Sequence, residues 1–217
     1  MRVSDKGIFA LAKHEGIVPA PYRDSVGVIT YGIGHTKAAG DPDPDSLPRG
    51  MPADLDAALR DVFNVFRRDL ESYSEAVRRE VKVPVEQHEF DALVSFHFNT
   101  GGIARAAVTR HLNAGDRGAA AKAFMNWRRP PEVIPRREDE EKLFREGVYP
   151  SGTVPVWQVT DTERVIWDPA KSLSMTQVLD LLDDPDAKPS TLRAKPEPPK
   201  PVNRFLAFIL RLLGRAS

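Results

Sequence analysis

Glu15, Asp24 and Thr30 fall within one stretch, His14-Glu-Gly-Ile-Val-Pro-Ala-Pro-Tyr-Arg-Asp-Ser-Val-Gly-Val-Ile-Thr-Tyr-Gly-Ile-Gly-His35. Two carboxyl groups and a hydroxyl are the minimum set for splitting a glycosidic bond with water. One carboxyl protonates the departing oxygen, and the other stabilises positive charge at the sugar or helps orient the attacking water. No other segment gathers so many groups able to do chemistry. Singly, each has an ordinary reason to be there. Glutamate at a helix end is common, aspartate opens tight turns by bonding backbone two residues on, and threonine suits a strand.

The elements around these residues give each a defined place. Ser4 or Asp5 caps a first helix whose Ile8, Leu11, Ala12 and Glu15 share a face. Gly16 ends that helix, and Pro19 and Pro21 prevent its resumption. Glu15 therefore belongs to the last turn, where the partial negative charge of the helix end disfavours an ionised carboxylate. Burial acts the same way, and a carboxyl that keeps its proton suits a general acid. Asp24-Ser-Val-Gly27 has turn chemistry between Tyr22 and the β-rich Val28-Ile-Thr-Tyr-Gly-Ile, which predicts a hairpin. A turn aspartate stays solvated and charged.

Residues 40–52 are rich in proline and aspartate and read as an irregular loop. From Pro52 a long helix is predicted, with Leu55, Leu59, Val62, Phe63, Phe66, Leu70, Tyr73 and Val77 at steps of three and four. Pro84 breaks it. A second helix starts near Glu86 with Phe90, Leu93, Val94 and Phe98 inward and ends at Asn99-Thr-Gly-Gly102. Three more are predicted over 104–113, 118–127 and 136–145. One small β element early in a mostly helical chain predicts an α+β fold with a small N-terminal β-hairpin lobe, a larger helical lobe and a C-terminal extension.

The 217 residues are 41% apolar, enough for one substantial core or two small lobes. Lys and Arg total 31, as do Asp and Glu, so no global field points to nucleic acid as a partner. Basic residues cluster over 105–137, where a local positive surface suits an anionic polymer such as a cell wall and a solvated helix face explains them equally well. Cysteine is absent, which removes disulfides and thiolate metal sites. No metal site is expected either, since His88 and His97 fall on opposite sides of one helix and His14, His35 and His111 lack ligand-spaced partners. No cofactor is expected.

The run Glu15, Asp24, Thr30, Tyr31-Gly-Ile-Gly-His35 resembles the catalytic stretch of the phage-type lysozymes, glycoside hydrolase family 24. The resemblance continues through Gln87-His-Glu-Phe-Asp-Ala-Leu-Val-Ser-Phe-His-Phe-Asn-Thr-Gly101, His111-Leu-Asn-Ala-Gly-Asp116, Phe124-Met-Asn-Trp127 and Arg136-Arg-Glu138. It implies a lysozyme-like fold over 1–154 and an endolysin-type muramidase that cleaves, with inversion, the β-1,4 bond between N-acetylmuramic acid and N-acetylglucosamine in peptidoglycan. It implies Glu15 as general acid, Asp24 and Thr30 as holders of the attacking water, Phe98 and Asn99 as substrate-binding residues and His35 as structural. The chain departs from the family at Pro130-Pro-Glu-Val-Ile-Pro135, which would aim Arg136 and Arg137 differently, and at Ala106-Ala107, where relatives carry hydroxyls.

Beyond this come an arm over 155–187, with a strand pair suggested by Val156, Trp157, Val165 and Trp167 and a short helix from Leu173 to Leu182, and a Pro/Lys-rich linker over 188–202. Residues 203–217 read as an amphipathic basic helix. Arg204, Arg211 and Arg215 share one face and apolar residues cover the rest, a pattern suited to an anionic membrane surface or to packing on the chain's own domain. The N-terminus reads as an amphipathic helix and not as a signal peptide. The expected course is residence in the cytoplasm until lysis and action on the wall afterwards, with peripheral association at the inner membrane. Two other readings keep the fold: a host-encoded wall-remodelling muramidase of an envelope machine, and a non-catalytic wall-binding module.

Overall fold

The computed structural model describes residues 1–183; the linker, the amphipathic tail and the last residues of the arm lie outside the described residues. The chain divides into two compact units. One comprises Met1–Ala10 and Leu70–Ser151 and is helical. The other comprises Leu11–Asp69 and, among the described residues, 152–183, and holds all the strands described.

Helix α1 (Asp5–Glu15) begins in the helical unit, where the Ser4 hydroxyl accepts from Gly7 N–H at 3.0 Å, the N-cap its sequence predicts. Ser4 also donates to Asp91, which accepts from Tyr149 Oη at 2.7 Å and Gln87 Nε2 at 2.8 Å. Asp91 is 1% exposed, so these donors replace the water it loses. Helix α2 (Leu55–Glu80) starts later than Pro52 and carries the predicted stripe: Leu59, Val62, Phe63, Phe66, Leu70, Tyr73 and Val77 are all buried. Helix α3 (Gln87–Thr100) has a Glu86/Glu89 capping box and ends on Gly101 in the left-handed region, φ 59°. It is buried on every side and not only along the predicted face. Residues 89–96 are buried without a break, the behaviour of a central core helix. Around it lie α4 (Ala107–Asn113), α5 (Arg117–Ala123) and α6 (Ile134–Glu146). The first is shorter than predicted, because Gly101–Ala106 form a turn. The predicted 118–127 helix splits into α5 and a 3-10 turn, Phe124–Trp127, whose Phe124 ring meets Phe96 edge-on at 5.4 Å.

His97, on α3, packs edge-on against Tyr73 at 5.6 Å, and its Nδ1 accepts weakly from Ile103 N–H at 3.5 Å. Burial first, then the charge of Arg79, lowers its pKa from 6.5 to about 4, with Glu80 opposing. The unfolded chain binds this proton near 6.5 and the folded chain only near 4. Stability from His97 is therefore complete above pH 6.5, falls as the pH drops towards 4, and is flat below. Denaturant titrations across that range should show this slope in the wild type and lose it in His97→Gln.

In the second unit, β1 (Val18–Arg23), β2 (Ile29–Gly32) and β3 (His35–Thr36) form an antiparallel sheet in that order. The predicted hairpin thus gains a two-residue third strand, too short for any periodicity to reveal. His35, 2% exposed, donates from Nε2 to the Pro42 carbonyl at 2.9 Å and faces the Asp69 carboxylate with Nδ1 at 2.7 Å. The suggested strand pair of the arm is present as β4 (Thr153–Val159) and β5 (Val165–Ser174), and helix α7 (Met175–Leu182) follows. Val18, Ala20 and Tyr22 of β1 form a buried cluster with Val159, flanked by Trp157 and Val165. Arg23 and Arg49 both pair with Glu163 in the β4–β5 turn, at 2.8 and 2.7 Å.

Candidate active site

Glu15 is the last residue of α1 and is 4% exposed. Ile8, Leu11 and Ala12 are fully buried, and this anchoring drives the helix end and its carboxyl inward. Gly16 N–H closes the final turn on Ala12 O at 2.7 Å, and Gly16 itself sits at φ +73°, a conformation that favours glycine. Asp24 opens the β1–β2 turn. Its Oδ1 accepts from Val26 N–H at 2.9 Å and Val28 N–H at 2.8 Å, and its own N–H reaches Val28 O at 2.9 Å. These bonds fix the carboxylate while leaving it half-buried. Thr30, on β2, is 3% exposed, and its hydroxyl lies 3.3 Å from Val28 O.

The three come together around a residue that the sequence reading used only to flank a hairpin. Tyr22 pairs directly with Thr30 across β1 and β2 and is fully buried. Its phenol lies near the Thr30 hydroxyl and within the fields of Asp24 and Glu15. Burial, then the charge of Asp24, then that of Glu15, raises the phenol's pKa well above its usual value, and the Thr30 hydroxyl opposes. Tyr22 is thus a neutral group to which both carboxylates and the hydroxyl are close. Register could have found it with Val26 as the centre of the turn, since Tyr22 and Thr30 each lie four residues from it.

Phe98 and Asn99 lie on α3 in the helical unit, each 4% exposed. The Phe98 ring packs on Tyr73 at 4.9 Å, and Asn99 Oδ1 accepts from Arg137. Arg136 and Arg137 are themselves buried, at 2% and 0%, and both meet Glu140. The proline-altered segment explains their aim: a 3-10 turn, Pro131–Val133, runs straight into α6 and sets both arginines inward. Among the described residues, no three His, Cys, Asp or Glu side chains cluster as metal ligands would.

A family model described as phage lysozyme matches residues 12–140, a span that includes Glu15, Asp24 and Thr30. The chain belongs to the phage lysozyme family. The endolysin of Salmonella phage P22 is 35% identical over 150 residues, which make up 66% of this chain and 98% of the relative. Among solved structures, the endolysin of Escherichia coli O157:H7 phage FAHEc1 superposes with a TM-score of 0.58 at 29% identity, covering 69% of this chain and 97% of its own. A P22 lysozyme mutant gives 0.57 at 33% identity, with 66% and 98% covered. This phage lysozyme is accordingly a glycoside hydrolase, and the predicted fold of unequal β and helical parts is the one observed.

Proposed function

We propose that this phage lysozyme is an endolysin-type muramidase that opens peptidoglycan by acid-assisted attack of water. The observation that carries the reading is the meeting of Glu15, Asp24 and Thr30 at the Tyr22 phenol, in a chain whose relatives are endolysins. Glu15 donates its proton to the bridging oxygen between N-acetylmuramic acid and N-acetylglucosamine. Positive charge then builds on the sugar, and the Asp24 carboxylate, held open by its two backbone bonds, stabilises it and orients water with the Thr30 hydroxyl. With the two sugar faces served by different groups, the product inverts. Phe98 and Asn99, which the resemblance assigns to substrate binding, are each 4% exposed.

Release of new muramic acid reducing ends from purified peptidoglycan tests the bond assignment, and the anomer first formed tests inversion. New glucosamine ends in place of muramic acid ends would refute it. Tyr22→Phe should lower turnover about fivefold, because the Thr30 hydroxyl loses a polar neighbour worth ~1 kcal/mol, with little change in melting temperature.

Family and relatives favour a lytic enzyme over a wall-remodelling enzyme or a binding module. Among the described residues no helix is long and apolar enough to cross a membrane. The membrane reading rests on the sequence of 203–217 alone, outside the described residues. In it the full chain waits in the cytoplasm and docks on the inner leaflet through Arg204, Arg211 and Arg215. Flotation with anionic vesicles, lost on replacing those arginines by glutamine, is the expected result.

A further inference from the structure

The end of α1 is held from a part of the chain that the family match does not reach. That match stops at residue 140, whereas β4 begins at Thr153. Directly after Glu15 and Gly16, Ile17 donates its N–H to Pro155 O at 2.9 Å and accepts from Trp157 N–H at 2.8 Å. Both backbone groups of Ile17 are thus committed to β4, and Ile17 and Val156 are each fully buried where they pair.

The Trp157 indole completes the clamp. A Cβ added to Gly16 would lie 2.5 Å from Trp157 Nε1 and 3.2 Å from its Cδ1. Position 16 therefore excludes a side chain twice, by its φ and by the ring above it. The β4–β5 register shifts on both sides of Trp157, between Val156 and Trp157 and again between Trp157 and Gln158. Such bulges re-aim a side chain at the expense of regular pairing. The indole Nε1 is buried with no hydrogen-bond acceptor among the described residues. Two structural costs, a doubly shifted strand and a buried donor without an acceptor, fall on the side chain that lies nearest over Gly16, with the Pro155 ring behind it at 3.6 Å.

We propose that Trp157 is a positioning residue for the hydrolysis: by filling the space over Gly16 it fixes the turn that ends α1, and with it the place of the Glu15 carboxyl. The proposal rests on the reading of Glu15 as the acid. Displacing a proton donor by about 1 Å can cost on the order of 100-fold in rate. The loss should appear in kcat, because a misplaced donor weakens the transition state and leaves ground-state binding intact.

The test compares the full chain with Trp157→Leu, Trp157→Phe, Trp167→Leu and Glu15→Gln, on soluble glycan-strand fragments of peptidoglycan, with a thermal melt for each. Trp157→Leu should lower kcat by about 10- to 100-fold with KM within about twofold. Trp157→Phe, whose smaller ring covers Gly16 in part, should fall between it and the wild type. Trp167, which packs edge-on on Trp157 at 5.2 Å, strips apolar area from the same hairpin when cut to leucine and should leave kcat within about twofold. Wild-type kcat in Trp157→Leu, or an equal loss in Trp167→Leu, overturns the proposal. If Trp157→Leu does not fold, an unchanged kcat in Trp157→Phe overturns it alone. Wild-type activity in Glu15→Gln would sink the acid assignment itself, whereas a Glu15→Gln slowed at least ~100-fold beside an unimpaired Trp157→Leu sinks only the clamp.

Discussion

Glu15→Gln should leave a folded protein whose turnover on peptidoglycan is lower by about 100- to 10,000-fold, the range lost with a positioned general acid. The amide matches the carboxyl in size, so the packing around a side chain only 4% exposed is preserved and the melt should move little. What goes is the proton. A sugar leaving group expelled without protonation departs as an alkoxide, and nothing in glutamine relieves that. The measurement is the initial rate of reducing-end release by variant and wild type at equal concentration. Equal rates would show that the proton comes from elsewhere, and the site would have to be rebuilt around another group.

Glu140→Ala should give the largest loss of stability of any single change considered. Its carboxylate takes Arg136 Nε at 3.0 Å and the Ser95 hydroxyl at 2.7 Å through Oε1, while Oε2 meets Arg137 Nη1 at 2.6 Å. The last contact lies off the line of a hydrogen bond and acts as charge against charge. All three ionic residues are at most 2% exposed. Removing this anion takes a shared partner from two guanidinium groups in a dry interior, which costs about 3–5 kcal/mol. In a chain of this size that corresponds to a melting point lower by roughly 6–20 °C. Calorimetry on Glu140→Ala checks it; a shift under about 2 °C would mean that water reaches the arginines. Arg137 also donates to Asn99, so the last turn of α3 should loosen with it, visible as faster amide exchange there.

The candidate trio was legible because it is local. Helix end, turn and strand lie within one short run, and each has a composition signal of its own. Tyr22 was not read as part of it, since an aromatic at a strand position has an ordinary explanation and only register shows that it faces Thr30. The Arg136 and Arg137 cluster was half legible. Glu140 lies one helical turn ahead, but the groups that draw both arginines inward, Ser95 and Asn99, sit on another helix. Arginine by default belongs on the surface, and no spacing rule overrides that. The arm was readable as a strand pair from its alternating Val and Trp residues. Its partner at Ile17 was not, because nothing local in either segment names the other.

That pairing has a bearing on when the enzyme becomes competent. Ile17 is made well before Val156, which lies beyond the stretch that matches the family. A contact of such sequence separation must close a large loop before it returns any free energy, so it belongs to the late steps of folding. Until β4 has been synthesised, both backbone groups of Ile17 lack their strand partners and nothing covers Gly16. A nascent or prematurely terminated chain would then carry Glu15, Asp24 and Thr30 without the support behind the first of them. Synthesis through β4, and not merely of the matched portion, would be what brings the lytic activity to its full rate.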